Sequence, residues 1–100
     1  MILTYSFAAV LWLSAVEGAS WVFATVPEAL SDEVADSIPI RPGFGSVRVE
    51  ATIGSTTWRT SLFPDSKRGA YVLPIKKAVR SAESIDVGDE VMVDLKLLVE

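Results

Sequence analysis

The chain has 100 residues, a length that suits one domain, and half of its residues are apolar. This composition supports a packed core and excludes a disordered chain, so we expect residues 1–100 to form a single domain. The chain has neither Cys nor His, which excludes disulfides, thiolate metal sites and the commonest general base. Its net charge of −4 argues against a dedicated nucleic-acid binder, which usually carries an excess of basic residues.

The first 16 residues, MILTYSFAAVLWLSAV, carry no charged side chain. A secretory signal would begin with a basic segment, whereas the first basic residue here is Arg41. The stretch is also short for a bilayer span and is interrupted by polar residues. Apolar residues recur at every second position, which predicts a buried first strand in a cytoplasmic protein. Its apolar face would consist of Leu3, Tyr5, Phe7, Ala9, Leu11 and Leu13.

The next part of the chain predicts a strand, a helix and a loop. Residues 20–26, SWVFATV, are aromatic and β-branched, as strands are. Pro27 has no N–H for a ladder hydrogen bond, so it ends this strand and suits the first turn of a helix at 28–37. The inner side of that helix would carry Leu30, Val34 and Ile38. Prolines and glycines in 38–45 predict a loop.

A hairpin is the clearest pattern. Apolar residues alternate with polar ones over 47–53, which predicts a half-buried strand. Gly54 and Ser55 form a two-residue hairpin signal, so residues 56–63 are expected to return as the partner strand.

The rest of the chain predicts a turn at 64–69, a strand at 70–75, a helix, a turn at 85–90 and a last strand at 91–99. The inner side of this second helix would carry Ile75, Ala78, Val79 and Ala82. Six strands and two short helices predict a mainly β fold, a small β-barrel.

Basic residues are concentrated in one stretch. Six of the nine lie between Trp58 and Arg80, with a single acid among them: Arg59, Lys67, Arg68, Lys76, Lys77 and Arg80. One interpretation is an anion site, in which lysines in the first turn of the second helix act together with the Lys67-Arg68 turn. Ser61 belongs to this candidate site as well. The alternative is that these charges keep a strand edge soluble and unpaired.

The large aromatic residues allow two interpretations. Trp12, Trp21, Trp58 and Tyr71 suit base stacking in an open barrel, but large aromatics on strands are usually core. We expect core, with Trp12 as the exception because it falls on the more polar face of the first strand.

An enzymatic function has little support in the sequence. Ser61 or Thr60 would serve as a nucleophile only beside a lysine with a lowered pKa, such as Lys76 or Lys77. The chain has no phosphate-binding loop, dinucleotide fingerprint or calcium-loop spacing. We therefore predict no catalytic residue, cofactor or metal.

A spaced set of residues across nearly the whole chain resembles a known family. It comprises Trp21 and Phe23 before Pro27; Val49, Ile53 and Gly54; Ser61, Leu62 and Pro64; Gly69, Tyr71 and Leu73; Lys76 and Arg80; and Gly88 with Asp89. The chain thereby resembles domain-of-unknown-function family 1905, of bacteria and archaea. The resemblance implies a closed barrel of the double-split type and no assigned activity. It carries Lys76 and Arg80 over as a pair that either grips one anion or braces the barrel through acids such as Asp89 or Asp94.

Together these observations predict a non-enzymatic binding or interaction module. Its partner would be a small anionic ligand or another protein, with no membrane partner. The alternatives are a nucleic-acid-binding barrel, which needs an exposed aromatic beside the basic residues, and a Ser/Lys-dependent enzyme. Self-association through the acidic and basic parts of the chain is a further option.

Overall fold

The computed structural model describes residues 4–16, 19–37 and 45–98, which contain seven strands and two helices. The strands are β1 (Thr4–Val10), β2 (Trp12–Val16), β3 (Ala19–Thr25), β4 (Val47–Ile53), β5 (Thr56–Asp65), β6 (Ala70–Pro74) and β7 (Glu90–Leu97). The helices are α1 (Glu28–Ser37) and α2 (Lys77–Glu83). All strand pairs are antiparallel, in the order β1-β7-β4-β5-β6-β3-β2.

The predicted first strand is in fact two strands that meet at Leu11. The N–H of Leu11 donates to the carbonyl of Asp89, and its own carbonyl accepts from the N–H of Gly88, both at 2.9 Å. These bonds hold Leu11 at the turn before β7, and the chain pairs with a different strand before and after this residue. β1 pairs with β7, whereas β2 pairs with β3 at the opposite end of the strand order. Leu13 therefore departs from the predicted apolar face and is 54% exposed.

The prediction of a closed barrel with six strands is wrong, because the seven strands form an open half-barrel. The opening has a local cause. β5 pairs with β4 along Thr56–Leu62 but with β6 only along Phe63–Asp65. β6 separates from β5 after Val72 and pairs with β3 as far as Pro74, so no strand of the described residues covers the second side of Thr56–Leu62.

The core lies on the concave face of the sheet, as the alternation in the sequence predicts. Along β4 and β7 every second side chain is buried, and Val49, Ala51, Val93 and Leu95 are among the most enclosed residues. Gly54 adopts a positive φ of 58° in the hairpin turn, as the Gly-first turn signal requires. The hairpin is confirmed, and the final strand is confirmed over 91–97; residue 98 lies past its end, and residue 99 lies outside the described residues.

Helix α1 has the predicted bounds. Val34 is buried and Leu30 is half-buried, while Ile38 and the predicted loop up to residue 44 lie outside the described residues. The buried Ser31 hydroxyl donates to the carbonyl of Val26 at 3.1 Å and accepts from the N–H of Tyr71 at 3.0 Å. Neither helix of the described ranges has the length and apolar content needed to cross a membrane.

Helix α2 begins later than predicted and buries less. Lys76 is its extended N-cap residue and Lys77 its first helical residue, so Lys76 does not lie in the first turn. Val79 is buried, but Ala78 and Ala82 are exposed, which contradicts their predicted inward position. The reason is length: seven residues make fewer than two turns, so the helix touches the core mainly through Val79.

Candidate functional site

A cleft of about 330 Å³ occupies the opening between β5 and β3, where α2 begins. Its inner part is formed by the buried residues Val22, Trp58 and Ile75. Around them stand Trp21 and four basic residues: Arg59, Lys76, Lys77 and Arg80. None of the described residues that line the cleft is acidic. The cleft therefore combines an apolar interior with a positively charged rim.

The β3–β6 register places Trp21 close to Lys76. Phe23 is paired with Pro74, and the N–H of Ile75 donates to the carbonyl of Val22 at 2.8 Å. Trp21 directly precedes Val22 and Lys76 directly follows Ile75, so the two backbones remain close past the end of β6. Both residues are exposed, and both line the cleft, Trp21 from β3 and Lys76 from the start of α2.

The four basic residues of the cleft differ in whether their side chains already have partners. Arg59 forms an ion pair with Glu50 at 3.7 Å. Arg80 donates from Nε to the carbonyl of Ile75 at 3.2 Å and lies 3.8 Å from the carboxylate of Asp86. The acid that pairs with Arg80 is therefore Asp86, not the predicted Asp89 or Asp94.

Lys76 and Lys77 retain their full hydrogen-bonding capacity. Across the described ranges, neither side chain forms an ion pair or a hydrogen bond with another residue. An ammonium group has three donors. These two lysines are therefore the donors that are available to a bound anion.

Glu83 fixes the far end of α2 to the β4–β5 hairpin. Its carboxylate accepts hydrogen bonds from the hydroxyls of Thr56 at 2.5 Å and Ser55 at 3.3 Å. The Thr56 bond, helped by the side chain and backbone N–H of Ser55, lowers the pKa of Glu83 below 4.5 despite partial desolvation. A side chain at Gly54 would overlap this carboxylate. The contact sets the position of the helix that carries Lys77 and Arg80.

Lys67 and Arg68 lie elsewhere, on the β5–β6 turn, and do not line the cleft. Asp65 accepts from both backbone N–H groups of that turn and pairs with the Arg68 guanidinium at 2.9 Å. Desolvation raises the pKa of Asp65, but these hydrogen bonds outweigh it and leave the pKa below its usual 3.8. The Arg68 guanidinium also stacks 3.7 Å from the ring centroid of Trp12. The basic stretch is therefore divided between two places.

Ser61 is also outside the lining of the cleft. It is paired with Arg48 across the β4–β5 ladder, and its hydroxyl accepts from that guanidinium at 3.4 Å. All four lysines of the chain lie in the described ranges, and none is hydrogen-bonded to Ser61.

The aromatic residues divide differently from the prediction. Trp58 and Tyr71 are buried, as expected. Trp12 is half-buried, because Phe23 and Arg68 contact its ring. The core assignment of Trp21 is wrong, since it is 55% exposed. The alternation in β3 could have revealed this, because Val22 and Ala24 occupy the inward positions and leave Trp21 on the outer face.

The fold and site together define a small, mainly β protein with a basic, aromatic-walled cleft in the opening of its sheet. The model of the family described as domain of unknown function (DUF1905) matches residues 7–95. The chain therefore belongs to this family. No curated protein matches the sequence.

Proposed function

We propose that this protein is a non-enzymatic binding module that takes a small anionic ligand in the cleft. The observation that carries the proposal is a pair of lysines, Lys76 and Lys77, whose side chains have no partner among the described residues, at the rim of a cleft that no described acidic residue lines. Arg59 and Arg80 each form an ion pair with an acid of the described ranges, whereas the ammonium groups of Lys76 and Lys77 form none there. An anion placed between them gains charge-assisted hydrogen bonds.

The proposed site is narrower than the basic stretch. It keeps Arg59, Lys76, Lys77 and Arg80, and it leaves out Ser61, Lys67 and Arg68, which do not line the cleft. The Ser61 bond to Arg48 supports a binding protein over a Ser/Lys-dependent enzyme, because a nucleophilic serine needs a base within hydrogen-bond reach. A cytoplasmic location remains part of the proposal.

Single-stranded nucleic acid is the second candidate ligand. The exposed ring of Trp21 beside the cleft favours it, because stacking on an aromatic ring next to basic side chains is how such strands are bound. The net charge of −4 counts against it, since a polyanion would be repelled by much of the remaining surface.

Calorimetric titration with inorganic phosphate, ribose 5-phosphate, nucleotides and a short oligonucleotide tests the proposal, at about 50 and about 200 mM salt. We expect binding of a small anion that weakens only moderately with salt. A fall of several orders of magnitude over this range would instead indicate many phosphate contacts and nucleic acid.

Lysine variants locate the site. Replacing both Lys76 and Lys77 with Ala removes the uncommitted donors, so we expect affinity for the anion to fall at least about tenfold. Lys96→Ala is the matched control, because it removes an exposed lysine on β7 that does not line the cleft. Equal losses in the double variant and in the control would refute the assignment of the cleft.

A further inference from the structure

We infer that the ligand of the cleft is a small anion that also carries a planar aromatic ring. In this arrangement the ring stacks on Trp21 and the anionic group lies between Lys76 and Lys77. The inference deepens the proposed function and rests on it. Two features of the cleft favour a ligand with an aromatic ring over an anion without one.

The first feature is a row of rings that holds Trp21 in place. The rings of Trp21 and Phe23 are nearly parallel, at 13°, with centroids 6.3 Å apart. Phe23 in turn contacts Trp12 at 5.1 Å, and the indole N–H of Trp12 donates to Thr25 at 2.9 Å. Trp21 is thus preorganised from one side, yet it remains the most exposed member of the row. A fixed, exposed indole gives a planar ligand a stacking surface at little entropic cost.

The second feature is that the cleft is lined both by an exposed aromatic ring and by lysine ammonium groups. Trp21 supplies an aromatic wall, and Lys76 lies on the neighbouring chain segment, directly after Ile75, whose N–H donates to the carbonyl of Val22. A ligand that joins a ring to an anionic group by a short linker would engage both at once. The volume of about 330 Å³ lies at the lower end of the range for small-molecule sites. It therefore suits one ring with its substituent.

Two matched ligand pairs test the inference by calorimetry. Adenosine 5′-monophosphate is compared with ribose 5-phosphate, and benzoate with acetate, so that each pair differs in the aromatic ring. We expect at least one aromatic anion to bind roughly fivefold to hundredfold tighter than its partner, the range for stacking on one aromatic side chain. A preference for adenosine 5′-monophosphate would identify the anionic group as a phosphate, and a preference for benzoate would identify it as a carboxylate.

Protein variants assign the preference to the indole. Trp21→Ala should abolish the advantage of the aromatic ligand and leave the non-aromatic anion bound as before, whereas Trp21→Phe should restore most of it. Phe63→Ala is the control, because Phe63 is an aromatic residue of β5 that is 44% exposed and does not line the cleft. An advantage that survives Trp21→Ala, or one that Phe63→Ala also removes, would overturn the inference.

The results separate this inference from the proposed function. Equal binding of aromatic and non-aromatic anions, lost when Lys76 and Lys77 are replaced, would overturn the aromatic ligand and support the anion site. Binding of adenosine as tightly as its monophosphate would overturn both. An oligonucleotide that binds much tighter than the mononucleotide, with a steep salt dependence, would overturn the small ligand in favour of nucleic acid.

Discussion

Replacing Val79 with Ala tests how α2 is held against the sheet. Val79 is the buried residue of this helix and is 1% exposed. The substitution removes two methyl groups, and burial of each contributes about 0.8 kcal/mol. The cavity left behind adds a penalty of comparable size where the surroundings cannot collapse. We therefore expect the free energy of unfolding to fall by about 2–3 kcal/mol.

Urea unfolding followed by tryptophan fluorescence measures this loss. The midpoint should decrease while the dependence on urea stays constant, since the variant changes stability and not the surface exposed on unfolding. Val87→Ala is the matched control, because the same two methyl groups are removed from a side chain that is 45% exposed. We expect the control to change stability by less than about 0.5 kcal/mol. If both variants lose the same amount, Val79 does not anchor α2.

Three further predictions concern Glu83, Gly54 and Arg68. Glu83→Gln should destabilise the protein near neutral pH, and the difference from the wild type should shrink as the pH falls through 4.5 and below. The sign follows from the lowered pKa of Glu83: its anionic form contributes stability above its unfolded pKa, and protonation removes that contribution. A difference between the variant and the wild type that stays constant as the pH falls would contradict the role of Glu83. Gly54→Ala should lower stability more than Gly69→Ala, as measured by urea unfolding. Both glycines have a φ near 60°, which costs an L-residue about 1–2 kcal/mol, but only Gly54 also faces the Glu83 carboxylate. Equal losses would mean that this carboxylate moves away freely. Arg68→Ala should lower stability by about 0.5–1 kcal/mol, because it removes the cation–π contact with Trp12 and the partly exposed ion pair with Asp65. An unchanged thermal midpoint would show that these two contacts contribute nothing.

Patterns with a short period were enough to predict most of the elements. The alternation in β4 and β7 gave the buried faces correctly, because successive side chains of any strand point to opposite sides. Pro27 and the apolar spacing after it gave the bounds of α1, and Gly54 gave the hairpin. Each of these features depends on residues within a few positions of one another. Composition likewise located the basic stretch that supplies the cleft with its lysines.

The choice of strand partners required the tertiary structure. Nothing near Leu11 in the sequence announces that the chain leaves β7 and joins β3, because the bonds that hold it come from Gly88 and Asp89. The same holds for the opening beside β5, because β6 forms only three pairs with β5 and then continues along β3.

The division of the candidate site has the same origin. Lys67 and Arg68 are close to Lys76 and Lys77 in the chain. The β5–β6 turn, however, places Arg68 against Asp65 and Trp12, whereas β6 leads Lys76 and Lys77 to the cleft. Trp21, which the sequence assigned to the core, stands at the cleft because β3 presents its outer face there. The sequence by itself determined helix α1, the β4–β5 hairpin, the buried faces of β4 and β7 and where positive charge accumulates. Only the tertiary structure decided which of those charges meet, since that depends on pairing between residues far apart in the chain.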